Sequence, residues 1–345
     1  MLAEKADLRM TTSDAHVRPP ISAAAGEARP LDGRVALVTG SGRGIGRAEA
    51  LRLAAYGATV VVNDLGVAAD GTDLGETPAE ETVREIVEAG GEAVVDTSDI
   101  STTDGGEAVV QRALDGWGRL DIVVNNAGIG RPRMVFNLAP DEWDDVVRVH
   151  LRGTFAVTAP AARWWRSESK AGRGGFGRVI NTSTGLLPLG GAGQSNYVAA
   201  KAGILAFSEA IATELAPYGV TVNTILPGAL TRLAAVGWRM ARTATEDTPF
   251  DATSPVHVAE LVCYLASPDA GWLSGQAFQV SGGRINHLLT FVPAETLQRA
   301  DRGWTVGDLR AELPRLFGAG PRASDPPPPE WSERSHARGS SVTAP

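Results

Sequence analysis

A chain of 345 residues with 43% hydrophobic content can bury a sizeable core, as one large α/β domain or two smaller ones. A net charge of −8 argues against nucleic acid or an anionic membrane as the main partner. The single cysteine, Cys263, leaves no intramolecular disulfide and no cysteine metal cluster. That cysteine usage makes a reducing, cytoplasmic setting the expectation; no apolar run reaches the ~18 residues of a membrane span, and the polar N-terminus shows no signal-peptide core.

Residues 1–30 lack periodicity and read as a disordered arm. A short β-branched strand, RVALVT at 34–39, then gives way to a glycine cluster and an amphipathic helix at 47–56. A second strand, TVVVN at 59–63, ends at Asp64; a loop rich in Gly and Asp precedes a helix at 78–89. Strands at 92–95, 120–124, 178–181 and 220–226 alternate with helices at 107–115, 141–166 and 196–216. A last helix at 256–265 precedes a strand at 277–280. This alternation predicts right-handed crossovers and a doubly wound parallel α/β sheet, the Rossmann architecture, over 31–283. Beyond Gly283 the pattern lapses: residues 284–318 read as an extension with one short helix at 308–317, and the Pro-rich 319–345 as a disordered tail.

The turn after the first strand reads TGSGRGIG. Gly40, Gly44 and Gly46 let the backbone bend, approach a pyrophosphate and seat a helix whose N-terminal amides attract phosphate. Its position between a strand and a helix, with an acid ending the next strand, is the context a dinucleotide site requires. Asp64 is placed to accept from both adenosine ribose hydroxyls and to repel a 2′-phosphate, which favours NAD over NADP. Arg43 and Arg47 offer guanidinium groups that could pair such a phosphate, but no arginine follows Asp64 directly. Asp99 is placed to meet the adenine edge, and Asn126, Ala127 and Gly128 to line the groove after the fourth strand. Ile45 and Ile100 complete the expected contacts in this part of the groove.

The chemistry falls on RVINTSTGLLPLGGAGQSNYVAAK, residues 178–201. Tyr197 and Lys201, four apart, share a helix face, so an ammonium would stand beside a phenol and bring it towards working range. Only Lys5, Lys170 and Lys201 are lysines among 32 basic residues, so a compact ammonium at 201 has a use that an arginine does not serve. The hydroxyls of Ser183 and Thr184 sit where a parallel strand ends, which is where open α/β sheets bind ligands. No histidines pair at three or four residues, and no metal site is legible.

With TGSGRGIG, NNAG at 125–128 and the Tyr197/Lys201 pair in this order, the chain resembles the short-chain dehydrogenase/reductase family. VVVNDLG, RVHLRGTF and GQSNY look most like the 3-hydroxyacyl-CoA dehydrogenase domain of multifunctional enzyme type 2 and related stand-alone bacterial dehydrogenases. The resemblance implies that Tyr197 is the general acid/base, that Lys201 also holds the nicotinamide ribose, and that Pro227, Gly228 and Thr231 border the nicotinamide. It further implies a small-molecule secondary alcohol or ketone as substrate, and a homodimer or homotetramer. The family's catalytic serine lies thirteen residues before the tyrosine, where this chain has Thr184. Ser183 is one residue further back; threonine's methyl crowds a substrate, which favours Ser183, and both stay open. His150 stands where many members have an asparagine that anchors a relay water, and a relay imidazole and a packed core imidazole both stay open. A lid is expected between residues 231 and 254. The expected activity is NAD-dependent oxidation of a secondary alcohol or its reversal. The alternatives are an NADPH-dependent ketoreductase and a dinucleotide-binding protein without catalysis.

Overall fold

In a computed structural model of the chain, the structure describes residues 29–66, 78–187, 191–229, 250–290, 296–299 and 303–317. The strands are β1 (Val35–Thr39), β2 (Thr59–Asn63), β3 (Ala93–Asp96), β4 (Ile122–Asn125), β5 (Gly177–Thr182), β6 (Val220–Pro227), β7 (Ala277–Ser281) and β8 (Arg284–Leu288). They form one sheet in the order β3-β2-β1-β4-β5-β6-β7-β8, parallel throughout except for the antiparallel pairing of β7 with β8. The helices are α1 (Gly44–Ala55), α2 (Pro78–Glu88), α3 (Thr103–Trp117), α4 (Pro140–Val147), α5 (Gly153–Lys170), α6 (Ser195–Leu215), α7 (Val256–Ala266) and α8 (Val306–Phe317).

The central strands read as unbroken β-branched runs because both of their faces are covered. One face packs under α1, α2 and α7, through Leu53, Ile86, Val258 and Leu265. The other packs under α3, α5 and α6, through Val109, Val157, Trp165 and Ile211. Each such side chain taken fully out of water contributes about 1.5–3 kcal/mol. Trp165 is also anchored by its indole N–H, which donates to the Leu120 carbonyl at 2.7 Å. Strand β1 pairs with β2 on one side and β4 on the other, so the crossover direction reverses there and a crevice opens beyond the strand ends. Among the described residues no helix is long and apolar enough to cross a membrane.

Four departures from the sequence reading have physical causes. Strand β8 lies where the pattern was expected to lapse: RINHL is a short, mostly exposed edge, folded back on β7 through Gly282 at φ +54°. Helix α3 starts at Thr103, four residues before the expected start, capped by Thr102, whose hydroxyl accepts from the Gly105 amide. Glycine at 106 looks like a helix breaker, yet a Cβ there would lie 2.3 Å from the Ala156 carbonyl oxygen, so its absence lets α3 meet α5. The single helix expected over 141–166 is α4 and α5 joined through a π-helical turn, Arg148–Arg152. At the C-terminal end α8 begins at Val306, where Thr305 and Asp308 exchange side-chain to backbone hydrogen bonds of 2.9 and 3.2 Å.

Candidate active site

Strand β5 ends at Thr182, and the next two residues carry the hydroxyls. Ser183 is buried; its Oγ donates to the Lys201 carbonyl at 2.9 Å, and its amide donates to Ile225. The Thr184 side chain instead accepts from the Leu186 amide at 3.3 Å and lies on the Tyr197 side of the site, where it eases the phenol's proton loss. The Ser183 proton is thus directed to the helix backbone, which the sequence preference for Ser183 did not foresee.

Tyr197 is half-buried on the first turns of α6, and Lys201 is buried one turn later. Asn196 anchors this helix start: its Oδ1 accepts from the Tyr197 amide at 2.8 Å, and its Nδ2 reaches the Arg131 carbonyl at 3.1 Å. Lys201 Nζ donates to the Thr182 carbonyl at 2.6 Å and lies 5.8 Å from the Tyr197 ring centroid. Burial lowers the Lys201 ammonium to about 7, opposed by the Glu49 carboxyl. Burial likewise pushes the Tyr197 phenol up, offset in part by the Thr184 hydrogen bond. The net direction for the phenol is therefore upward, opposite to the expected lowering, because desolvation dominates.

His150 sits in the π-helical turn, fully buried, with its ring edge-on to Tyr197 at 5.2 Å and 89°. Its Nε2 lies 2.8 Å from the Ile129 carbonyl and 3.1 Å from the Ile129 amide, and the tautomer decides which bond forms. Nδ1 has no hydrogen-bond partner among the described residues. Burial, with the nearby Lys201 charge, lowers the imidazole to about 3, so the ring is neutral at physiological pH. Gly128 makes room for it, since a Cβ at 128 would lie 2.2 Å from His150 Cε1.

The Gly-rich turn is a cradle that side chains would fill. A Cβ on Gly46 would meet Asn126 Nδ2 at 2.3 Å and the Gly40 carbonyl at 2.4 Å; one on Gly42 would meet Asp64 Oδ2 at 2.8 Å. Gly40 and Gly44 take φ of +64° and +59°, where only glycine is unstrained. Helix α1 opens without a side-chain cap, leaving its first amides for an anion, and Ile45 packs on the core below. Asp64 Oδ2 accepts from the Gly42 amide at 3.0 Å and Oδ1 from the Gly66 amide at 2.9 Å, so the carboxylate is fixed and each oxygen keeps an acceptor site. These features fit a dinucleotide. Arg47, by contrast, is paired with Glu85.

The loop after β4 is stitched to this turn. Asn126 Nδ2 donates to the Thr39 and Gly40 carbonyls at 3.0 and 3.1 Å, while Thr39 Oγ1 accepts from the Asn126 and Ala127 amides. Asp99 spends Oδ1 on the Ser101 amide and hydroxyl, a turn-forming role, while its Oδ2 lies 3.9 Å from Arg148. Ile100 is buried against Gly153 at the start of α5. The Gly228 amide donates to Val280 at 2.7 Å, which places Pro227 and Gly228 at the end of β6 beside β7. Thr231 and the 231–249 part of the expected lid lie outside the described residues.

One residue escaped the sequence reading. Glu49, on α1, is fully buried and neither carboxyl oxygen has a hydrogen-bond partner among the described residues; burial raises it to about 8. Its position four residues from both Ile45 and Leu53, inside an apolar stripe, was the signal.

The family model described as short chain dehydrogenase matches residues 34–236. The chain is 44% identical over 293 residues to the hydroxyacyl-CoA dehydrogenase ChsB1 of Mycobacterium tuberculosis, covering 83% of this chain and 89% of that protein. It is 41% identical over 263 residues to the peroxisomal multifunctional enzyme type 2 of Mus musculus, covering 76% of this chain and 34% of that larger protein. The crystal structure of a short chain dehydrogenase from Mycobacterium avium aligns with a TM-score of 0.74 at 43% identity, over 85% of this chain and 97% of that one. The crevice at the β1/β4 switch point, the cradle at Gly40–Gly46 and the match over 34–236 together place the chain in the short-chain dehydrogenase/reductase family of oxidoreductases.

Proposed function

We propose that the chain is an NAD-dependent dehydrogenase that interconverts a secondary alcohol and its ketone, with 3-hydroxyacyl-CoA esters as the substrate class. The observation that carries the reading is Tyr197 on the first turns of α6 with Lys201 buried one turn behind it, its Nζ 5.8 Å from the phenol ring centroid and held on the Thr182 carbonyl at the end of β5. The names of the two curated relatives support the substrate class.

When bound, NAD supplies the site that accepts or returns hydride; the chain supplies the rest. Gly40, Arg43, Gly44, Ile45 and Gly46, with Asn126, Ala127 and Gly128, would hold the dinucleotide, and Asp99, Ile100, Pro227 and Gly228 would bound its groove. Asp64 would accept from the adenosine ribose hydroxyls with the acceptor sites its two amide bonds leave open. The Thr184 and Tyr197 hydroxyls converge on the substrate oxygen and stabilise the charge that develops there. Tyr197 gives or takes the proton. Lys201, with its ammonium near 7, can hold or release one at neutral pH and so restores the phenol. Buried, neutral His150 supports the Tyr197 ring from its edge.

The test is reduction of NAD and of NADP by the purified protein across 3-hydroxyacyl-CoA esters, hydroxysteroids and simple secondary alcohols. Turnover with NAD on the acyl-CoA esters is expected; turnover confined to another class would overturn the substrate assignment. The fixed Asp64 carboxylate should make Asp64→Ser narrow the kcat/KM preference for NAD over NADP by at least about tenfold, since a like charge against a 2′-phosphate costs a few kcal/mol. A ratio that does not move would remove Asp64 from the choice of dinucleotide.

A further inference from the structure

We infer that Ser183 is a positioning residue: with the Thr182 carbonyl it clasps Lys201 at both ends, and the clasp sets α6 so that Tyr197 meets Thr184. The inference rests on the proposed roles of those three residues.

The geometry is a small closed ring. Lys201 Nζ donates to the Thr182 carbonyl at 2.6 Å, and the Lys201 carbonyl accepts from Ser183 Oγ at 2.9 Å. Two adjacent residues at the end of β5 thus grip the side chain and the backbone of one helical residue. A third stitch lies two turns further along α6, where Asn181 Nδ2 donates to Ser208 Oγ at 2.8 Å and that hydroxyl donates on to the Ile204 carbonyl at 2.7 Å. Asn181 is itself held from β4, accepting from Asn125 Nδ2 at 2.8 Å. All these residues are buried. A packed helix can slide on a sheet where only apolar side chains meet it; three directional bonds from 181, 182 and 183 remove that freedom.

The consequence falls one turn away. Tyr197 precedes Lys201 by a single turn and Thr184 follows Ser183 directly, so the clasp fixes the two reacting hydroxyls relative to each other. Ser183 does this without touching substrate. Its own proton is committed to the Lys201 carbonyl, and the residue is only 1% exposed. The helix carbonyl has an ordinary helical partner as well, so deleting the Ser183 hydroxyl loosens the alignment and leaves no bare polar group behind. Misplacement of a reacting group by a fraction of an ångström is felt in turnover far more than in binding.

The experiment compares wild type, Ser183→Ala and Ser183→Thr by two readouts. The first is steady-state kinetics on whichever substrate the wild type turns over. The second is an ultraviolet titration of tyrosinate with Tyr197→Phe as the blank, which needs neither substrate nor dinucleotide. For Ser183→Ala the expected result is a kcat lower by about tenfold with KM and dinucleotide affinity within about twofold. The Tyr197 titration should move to higher pH as its Thr184 partner drifts away. Ser183→Thr, which restores a donor, should return both readouts towards wild type. An alanine variant matching wild type in both readouts would overturn the clasp. So would a loss as deep as that of Tyr197→Phe with raised KM, which would mark Ser183 as a substrate contact. A wild type without turnover would count against the proposed function, and the tyrosinate titration would still decide the clasp.

Discussion

Phenylalanine at position 197 should lower kcat by about 10³-fold, roughly 4 kcal/mol of transition-state stabilisation, while dinucleotide affinity stays within about twofold. The substitution removes one hydroxyl and leaves the half-buried ring in its edge contact with His150. Steady-state kinetics with a parallel binding titration separates the two effects; retained turnover would take the proton-transfer role away from Tyr197. The direction of the phenol's shift adds a pH signature. Burial holds it above its ordinary value, so at neutral pH the group carries its proton and is ready to act as an acid. Ketone reduction should therefore be sustained through neutral pH, whereas alcohol oxidation, which needs the anion or a coupled proton acceptor, should rise as the medium becomes alkaline.

Glu49→Met should stabilise the fold by an amount that grows with pH. The buried carboxyl titrates at about 8, against 4.5 for its ordinary value, chiefly because burial penalises the anion; the Lys201 charge opposes this less strongly. Between those two values the unfolded chain gives up the proton and the folded chain keeps it. Folding stability therefore falls as pH rises from 4.5 to 8 and is level beyond, a loss on the order of 5 kcal/mol. Methionine has similar volume, no proton to hold and no unsatisfied oxygen, so it escapes the penalty at little packing cost. The loss of the one carboxyl that supports the Lys201 charge is a smaller opposing effect. Urea unfolding of both proteins at pH 5 and pH 8 reads the result: the gap should widen with pH, and a constant gap would mean that Glu49 is ionised or solvated in the folded chain.

The core of the fold was legible because β-branched runs such as VALVT and TVVVN are what a strand buried on both faces demands, and the turns between them carry glycine where φ is positive. Strand β8 was not, since an exposed edge strand needs no apolar pattern. The first turn of α3 was hidden because Gly106 serves a helix contact that lies far away in sequence. At the site, the spacing of Tyr197 and Lys201 set their shared face. The bond from Ser183 to the Lys201 carbonyl could not come from spacing, because it depends on which hydroxyl the α6 backbone captures. The same holds for His150, whose place against Tyr197 follows from a π-helical turn that no residue of RVHLR announces. Glu49 was visible as a carboxyl in an apolar stripe, but its electrostatic coupling to Lys201 arises only from the folded arrangement.

The most direct test of the account is to incubate the wild-type protein with NAD and a 3-hydroxyacyl-CoA ester deuterated at the carbinol carbon, then to analyse the reduced dinucleotide by mass spectrometry. Reduced dinucleotide that carries the deuterium is expected, and none above background from Tyr197→Phe over the same interval. Reduced dinucleotide without the label, or no reduction while the dinucleotide is bound, would contradict it.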